Sequence, residues 1–228
     1  MEYGQFCPIA KASEVIGEKW TVLIIREILM GGRRFSELQR GLGTISPTLL
    51  TKRLADLESN GLIYRKTVSG QRNHEYFPTE ACKELQPVLM SIGNWGMRWA
   101  HENLRTHEYD VELLIIYLQR SIQPEKLPPS QTIIQFTFSD MVDKAHWWLI
   151  CDAGEIEACD KNPGKDIDVY FNTTVKTMTD IWMQKRSYRD ARRAKEIAVT
   201  GNNYLVDNVW SWMSHSPFEA LPPAENIL

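Results

Sequence analysis

Residues 34 to 78 constrain the fold of this chain more than any other segment. They contain two short helical patterns separated by glycines, followed by two strand-like runs. We expect the first helix to be capped by Ser36, with Gln39 completing a capping box, and to end near residues 41 to 43, where glycines accept a left-handed conformation. This order of two helices joined by a tight turn and followed by a basic hairpin is typical of a winged helix-turn-helix. It therefore predicts DNA binding.

The second helix of this segment is predicted to begin after Ser46. A serine hydroxyl can accept a hydrogen bond there from a backbone amide that has no partner within the helix. Pro47 at the first helical position removes no hydrogen bond, because the amide of that position is unpaired in any helix. Gly61, just past Asn60, is predicted to close the helix. The buried face is marked by leucines at i, i+4 and i+7, which are Leu50, Leu54 and Leu57.

The opposite face of this helix has small polar side chains and one lysine. Such residues suit a major groove about 12 Å wide, because bulky side chains would hold the helix off the bases. The predicted base-reading residues are Ser46, Thr48, Thr51 and Lys52. Arg53 lies on the flank of the helix, where it is better placed for a phosphate than for a base edge.

A basic hairpin follows, with Ser69-Gly70 at its turn. Its predicted phosphate-binding residues are Arg65, Lys66, Arg72 and His74. On a lone hairpin, such charges belong to a solvated turn about as often as they bind a partner. Directly after a capped two-helix unit, the same charges favour a wing that binds phosphates.

Several short motifs support a family resemblance. They are Cys7-Pro8, Gly17-Glu18-Lys19-Trp20, Phe35-Ser36-Glu37-Leu38, Ile45-Ser46-Pro47 and Asn60-Gly61-Leu62-Ile63. Through these motifs, the first hundred or so residues resemble the HxlR-type winged helix-turn-helix regulators of bacteria and archaea. The resemblance implies a homodimeric transcription regulator whose dimer contacts come from the first helix and from the long helix after the wing.

The sequence supplies the apolar surface that such a dimer needs. The predicted interface residues are Phe6, Ile9, Leu85, Leu89, Ile92, Trp95 and Trp99. A stripe of this kind either packs on its own domain or meets a second copy. The second interpretation is favoured, because a small winged helix cannot easily hide a long helix with two tryptophans on one face.

Length and charge indicate two domains, which we place at residues 1 to 105 and 106 to 228. At 228 residues the chain is longer than one winged helix needs. The first part has 14 Lys and Arg against 11 Asp and Glu, and the second has 12 against 18. A polyanion such as double-stranded DNA is therefore drawn to the first part and repelled by the second.

Other classes of protein find little support in the sequence. No stretch is apolar over the ~18 residues that a membrane span needs and no signal peptide is apparent, so we expect a cytoplasmic protein without a membrane partner. The four cysteines lack CxxC spacing and histidines at metal-binding distances, so a zinc site is not expected. We also expect no other metal and no cofactor. Without a GxSxG motif, a phosphate-binding glycine loop or an HExxH motif, we do not expect an enzyme.

Cys7 is a candidate sensing residue. On chemistry alone, a single cysteine near an N-terminus is usually inert, whether it is packed or exposed. In HxlR-type proteins a cysteine before this proline often senses oxidants or electrophiles, and the Lys11 ammonium, one turn along, is expected to act on it. A second domain offers a different place for a signal to enter, and both routes stay open.

The second domain is predicted to be α+β, with an antiparallel sheet and helices on one face. An apolar helix at about residues 110 to 122 precedes a proline-rich break, then strands, two helices, a further strand and one terminal helix. In the hairpin around Ala153-Gly154, Cys151 is expected to pair with Ile156. About residues 125 to 218 resemble the sterol-carrier-protein-like fold, which encloses an apolar tunnel, although Gln184-Lys185-Arg186 stand where that family commonly has a glycine.

This second resemblance implies that the domain binds a hydrophobic small molecule. The predicted pocket residues are Phe136, Phe138, Trp148, Met178, Trp182, Trp210 and Met213. Aromatic and methionine side chains form adaptable apolar pockets, and they equally form an ordinary core. Two alternatives are a hydrophobe carrier whose front domain only dimerises and a redox-sensing regulator whose second domain only mediates oligomerisation. Lys52 and Arg53 argue against the carrier, which has no use for a basic recognition helix.

Overall fold

The computed structural model describes residues 2 to 67, 74 to 100 and 108 to 218. Its contacts divide the chain into two compact units, Met1–Gly93 and Asn94–Leu228, which we call the front and rear units. This division falls within one long helix. The predicted boundary at residue 105 lies among residues 101 to 107, outside the described residues, and it stays a prediction.

The front unit contains the helices and the hairpin of a winged helix-turn-helix, as predicted. Its elements are α1 Pro8–Ile16, α2 Thr21–Leu29, α3 Phe35–Leu42, α4 Pro47–Ser59, β1 Ile63–Thr67, β2 His74–Pro78 and α5 Glu80–Lys83, followed by the part of α6 Gln86–Trp99 that ends at Gly93. Leucine and isoleucine side chains of α2, α3 and α4 form one buried core, which includes Ile24, Ile28, Leu38, Leu50 and Leu54. Burial of these side chains is the main stabilising contribution to a domain of this size.

The start of α3 differs from the prediction. The carboxylate of Glu37 accepts hydrogen bonds from the backbone amides of Arg33 and Arg34, each at 3.0 Å. An acceptor at the third helical position satisfies amides in front of the helix, so the helix begins at Phe35. Ser36 therefore lies in the first turn and is not the cap. The other end is as predicted, with Gly43 at φ 63° directly after Leu42.

The second helix, α4, has the predicted ends and the predicted buried face. The Ser46 hydroxyl accepts a hydrogen bond from the Leu49 amide at 3.3 Å, and Pro47 is the first helical residue. Past the helix, Gly61 has φ +70°, a conformation in which glycine is not strained. The three leucines predicted to face the core, Leu50, Leu54 and Leu57, are all buried.

The hairpin of β1 and β2 is antiparallel, with Arg65 opposite Tyr76 and Lys66 opposite Glu75. It is tied to the segment before α3, because the Tyr76 amide donates to the Arg33 carbonyl at 2.9 Å and Arg34 forms a bridge with Glu75. The wing is therefore held on the same framework as α3 and α4. Its predicted Ser69-Gly70 turn lies outside the described residues.

The rear unit is built from helices and a five-stranded sheet, which confirms the α+β class. Its elements are α7 Val111–Ser121, a short 3-10 helix Pro124–Lys126, β3 Thr132–Phe138, β4 His146–Asp152, β5 Glu155–Cys159, β6 Val169–Thr173, α8 Val175–Trp182, α9 Tyr188–Arg193, β7 Ala198–Gly201, α10 Asn203–Asp207 and α11 Val209–Trp212. The single terminal helix predicted is instead two short helices. They are separated at Asn208, whose φ of −116° and ψ of 26° are not helical.

The sheet is mixed, which corrects the prediction of an antiparallel one. Its strand order is β5-β4-β3-β6-β7, and β3 pairs with β6 in parallel. The chain after β5 crosses to the far side of β3, and Asp168 secures the crossing by bonding the backbone of Ile133 at 2.8 Å. The other strand pairs are antiparallel, and Cys151 pairs with Ile156 as predicted.

One face of this sheet meets the helices. Phe136 and Phe171 stack with ring centroids 4.7 Å apart, and Trp182 of α8 stacks on Tyr117 of α7 at 5.0 Å. The indole nitrogen of Trp182 donates to the Ser121 hydroxyl at 2.7 Å. The rear core is therefore rich in aromatic side chains. A buried hydrogen bond between α7 and α8 satisfies the indole N–H of Trp182.

Candidate nucleic-acid interface

The outward face of α4, the predicted recognition helix, is open to solvent. Ser46, Thr48, Thr51 and Lys52 are all exposed, and the leucine spacing predicted this for the last three. The side chains of Thr48 and Lys52 make no hydrogen bond or ion pair within the described part of the chain. Both are therefore available for an external partner without loss of an internal contact.

Two of the four predicted base-reading residues also support the helix itself. The Ser46 hydroxyl caps the first turn, and the Thr51 hydroxyl donates to the Pro47 carbonyl at 2.9 Å. A hydroxyl has one donor and two acceptor sites, so Ser46 can still donate and Thr51 can still accept. The structure thus orients these hydroxyls while leaving part of their bonding capacity free.

Arg53 is held by groups of the protein. Its guanidinium donates to the Glu18 carboxylate at 2.7 Å, to Asp56 at 3.1 Å and to the Lys19 carbonyl at 3.3 Å, and 12% of its side chain is exposed. The predicted phosphate contact of Arg53 stays a prediction, but this geometry indicates a different task. Arg53 fixes the recognition helix to the turn between α1 and α2.

Sequence reasoning did not find this link between Glu18 and Arg53. The signal available was the Gly17-Glu18-Lys19-Trp20 motif, whose second residue proves to be the carboxylate that holds Arg53. At the end of the motif, Trp20 has φ 79°, a left-handed conformation that is uncommon for a bulky residue. The motif therefore forms a constrained turn beside the recognition helix.

The wing presents two cations at its described strands. Arg65 is 55% exposed and lies 3.3 Å from Glu58, an exposed ion pair of the weak kind. Lys66 lies over the rings of Tyr64 and Phe77 at 5.4 and 4.9 Å. His74 contacts the Thr67 hydroxyl through Nδ1 at 3.3 Å. The fourth predicted phosphate ligand, Arg72, lies outside the described residues.

The predicted dimer residues fall into two groups. Phe6 is fully exposed and Ile9 is 76% exposed, and α6 presents an exposed apolar stripe of Val88, Ile92, Trp95 and Trp99. These four positions follow one another at i, i+4, i+7 and i+11, which places them on one face of the helix. Leu85 and Leu89 instead pack against the front core. That packing gives them a structural role inside their own unit.

All four cysteines are free thiols. Cys7 is half-buried and directly precedes α1, but the Lys11 ammonium that was expected to act on it lies 2.9 Å from Glu14. Burial raises the pKa of Cys82 and raises that of Cys151 to about 12, so neither thiol is poised for ionisation. The sensing role of Cys7 stays a prediction.

The predicted pocket residues of the rear unit lie in or beside its core. Phe136, Phe138, Met178, Trp182 and Met213 belong to one buried cluster, and Trp210 packs at its edge. Trp148 is also buried, but it lies on the other face of the sheet because it pairs with Gln135. All of these residues except Trp148 therefore belong to one core or its edge, and the role of the set as a ligand pocket stays a prediction.

Within the described ranges, no helix is long and apolar enough to span a membrane. Among the same residues, no group of three or more His, Cys, Asp and Glu side chains comes together at metal-binding distance.

Comparison with known proteins identifies the front part of the chain. The model of the HxlR-like helix-turn-helix family matches residues 15 to 104. The uncharacterized HTH-type transcriptional regulator YvaP of Bacillus subtilis (strain 168) is 33% identical over 101 residues, 43% of this chain and 94% of YvaP. YkvN of the same organism, also an uncharacterized HTH-type transcriptional regulator, is 32% identical over 122 residues, 53% of this chain and 95% of YkvN.

The similarity to solved structures covers a comparable share of the chain. The redox regulator HypR in its reduced form is 30% identical, with a TM-score of 0.38 over 40% of this chain and 90% of HypR. The family match, the relatives and the fold of the front unit all indicate the same family. The chain belongs to the HxlR-like helix-turn-helix family of DNA-binding transcriptional regulators.

Proposed function

We propose that the recognition helix Pro47–Ser59 enters the major groove of its operator and reads base edges through Ser46, Thr48, Thr51 and Lys52. The observation that supports this most strongly is the polar outer face of a helix whose inner face is anchored by three buried leucines. Lys52 suits the acceptors of guanine, and the threonines suit either hydroxyl contacts or the methyl group of thymine. Each good contact is worth about 1 to 3 kcal/mol of discrimination.

The wing then contacts the phosphate backbone through Arg65, Lys66, Arg72 and His74. Backbone contacts fix the register of a protein on DNA without reading its sequence. The ion pair of Arg65 with Glu58 is exposed, so exchanging it for a phosphate costs little. Lys66 is positioned by the aromatic faces of Tyr64 and Phe77 and keeps its ammonium near the surface.

The regulator acts as a homodimer. Its proposed interface combines Phe6 and Ile9 with the apolar stripe Val88, Ile92, Trp95 and Trp99, which a second copy would cover. A two-fold dimer binds two half-sites about one helical turn, or about 10 bp, apart or at multiples of that spacing. The operator should therefore be a palindrome.

Selection from a random duplex library tests this function. Purified full-length protein should enrich an inverted repeat, and native mass spectrometry should report a dimer. The change of Trp95 to Glu should yield monomers and weaken operator binding, whereas Val142→Glu, at a residue of the rear unit that is 97% exposed, should change neither. Enrichment of no sequence, or a monomer that binds as tightly as the wild type, would contradict the proposal.

A hydrophobic effector of the rear unit is the finer part of the proposal. It rests on the resemblance to the sterol-carrier-like fold and on the aromatic residues Tyr117, Tyr188 and Trp210, which lie half-buried at the edge of the core. A ligand that entered there would separate side chains that now touch, and at 100 times its dissociation constant it would stabilise the fold by about 2.7 kcal/mol. A panel of fatty-acid and steroid probes that changes neither Trp fluorescence nor the melting temperature would exclude it.

A further inference from the structure

A short segment of the rear unit concentrates positive charge in an otherwise acidic part of the chain. Residues 185 to 195 contain six of the twelve Lys and Arg residues that follow residue 105, but only one of the eighteen Asp and Glu residues. They also contain four of the five arginines found there. This uneven distribution produces a local positive field on a unit whose net charge is negative.

The structure places three of these six cations on one side of a helix and a fourth shortly after its end. Arg189, Arg192 and Arg193 of α9 are exposed, and their spacing of i, i+3 and i+4 puts them on the same side of the helix. Ala191, on the opposite side, is fully buried against the rear core. Lys195 follows the helix and is exposed as well. We call Arg189, Arg192, Arg193 and Lys195 the basic patch.

The basic patch is weakly neutralised by the protein itself. Arg193 lies 3.6 Å from Asp190, with both side chains largely exposed, and Arg192 lies over the Tyr188 ring at 5.7 Å. The side chains of Arg189 and Lys195 make no hydrogen bond or ion pair among the residues that the structure describes. Arg186 is not part of the patch, because Glu196 binds it through two oxygens at 3.1 Å.

Three lysines elsewhere in the rear unit are held by groups of the protein itself. Lys144 bonds Glu112, Lys176 bonds Asp180, and Lys165 donates to Gln131 at 2.7 Å. These lysines serve internal contacts, whereas the patch offers guanidinium groups to the outside. A guanidinium matches phosphate geometry with two parallel hydrogen bonds, which a lysine ammonium cannot do.

We propose that the basic patch binds the phosphate backbone of double-stranded DNA outside the segment that the winged helix reads. This inference rests on the proposed function, since the front unit brings the DNA to the protein and thereby raises its local concentration at the rear unit. Phosphate is favoured over a protein partner because the described outer face of α9 exposes no large apolar residue, while the centres of protein interfaces are rich in apolar and aromatic groups.

The salt dependence of binding to long DNA tests the inference. The test uses a triple variant with the changes Arg189→Ala, Arg192→Ala and Arg193→Ala. Alanine is a strong helix former, so α9 should persist, and the melting temperature of the variant checks its fold. Because each phosphate contact contributes about 0.9 to the slope of log affinity against log salt, three contacts make the wild type lose about 40-fold more affinity than the variant between about 50 and 200 mM salt. Fluorescence anisotropy on a labelled duplex of about 60 bp, which is several helical turns, measures both slopes.

Two control variants make the result specific. Removing three cations of the same unit outside the patch, Lys126→Ala, Lys161→Ala and Lys165→Ala, should leave most of the slope in place. Replacing the three patch arginines by lysine should preserve the slope, since lysine also releases counterions. An unchanged slope in the patch alanine variant, or equal losses in both triple alanine variants, would overturn the inference.

This outcome is separable from a failure of the proposed function. If the wild type binds DNA and the patch alanine variant has the same salt slope as the wild type, the basic patch is not a DNA contact. The proposed function of the winged helix is then unaffected. If the patch variant instead loses binding to an acidic protein while its DNA slope is unchanged, the proposal is equally wrong. A wild type that shows no salt-dependent binding at all would contradict the proposed function itself.

Discussion

The Arg53 guanidinium donates to the Glu18 carboxylate across 2.7 Å, and this bond joins the recognition helix to the turn between α1 and α2. A second carboxylate, Asp56, contacts the same guanidinium from within the helix at 3.1 Å. We therefore expect Arg53 to act on DNA binding through the position of the helix. The contact also connects the helix to α1, the element that follows Cys7 and contributes Ile9 to the proposed dimer surface.

A double-mutant cycle distinguishes this positioning role from a phosphate contact. Arg53→Gln and Glu18→Gln should each lower the preference for operator over bulk DNA. The double variant should be no worse than Arg53→Gln alone, because Arg53→Gln already removes the contact with Glu18. If Arg53 instead bound phosphate, Arg53→Gln would reduce the salt slope by about one unit and Glu18→Gln would not. As a control, Glu58→Gln breaks the exposed pair with Arg65 and should leave the preference unchanged.

Gly41 in α3 is predicted to be intolerant of a larger residue. A Cβ at this position would lie 2.1 Å from the Glu27 carboxylate, which is fully buried and lies 2.8 Å from the Arg26 guanidinium. The Glu27 carboxylate cannot move away without disturbing its ion pair with Arg26. Gly41→Ala should therefore destabilise the protein by about 1 to 3 kcal/mol. Urea unfolding measures the change.

A matched glycine provides the control for this experiment. Gly96 lies within α6, and a Cβ there would meet nothing within 4 Å. Gly96→Ala should be neutral or stabilising by up to about 1 kcal/mol, because alanine has the higher helix propensity. Equal effects of the two substitutions would show that helix propensity rather than the Glu27 contact determines the result.

Ser121 is predicted to stabilise the rear unit through Trp182. Its hydroxyl accepts a hydrogen bond from the Trp182 indole nitrogen and donates to the Tyr117 carbonyl, both at 2.7 Å. Ser121→Ala would leave a buried indole N–H without its partner, which costs about 1 to 3 kcal/mol. Ser211→Ala removes an exposed serine that bonds Asn208 and should cost far less. Similar losses of melting temperature in the two variants would refute this role.

Local chemistry made much of this fold predictable. Ser46, Pro47 and Gly61 specify the ends of α4, and its leucine spacing specifies the buried face, because caps and periodicity act within a few residues. The pairing of Cys151 with Ile156 followed from a tight turn in the same way. Of the proposed interface, the exposed positions of α4 and the wing strands could be located from sequence.

Features that depend on distant partners were missed. The alternation in β6 indicates which face is buried, but it does not reveal that the strand lies parallel to β3, since a long connection decides that choice. The ion pair of Arg53 joins residues 35 positions apart, so helix geometry alone suggested a solvent-facing phosphate ligand. The helix start at Phe35 required knowing that the Glu37 carboxylate turns back to the preceding amides.

The most direct test of base reading by α4 compares Lys52→Ala with Lys66→Ala on a selected operator and on bulk DNA. Lys52→Ala should lower the preference for the operator by about 1 to 3 kcal/mol, because a base contact is lost. Lys66→Ala should weaken binding to all sequences alike and reduce the salt slope by about one unit. Lys83→Ala, which removes an exposed lysine paired with Glu80, should do neither. An operator preference that is unchanged in Lys52→Ala would contradict base reading by this residue and would indicate that DNA shape is recognised instead.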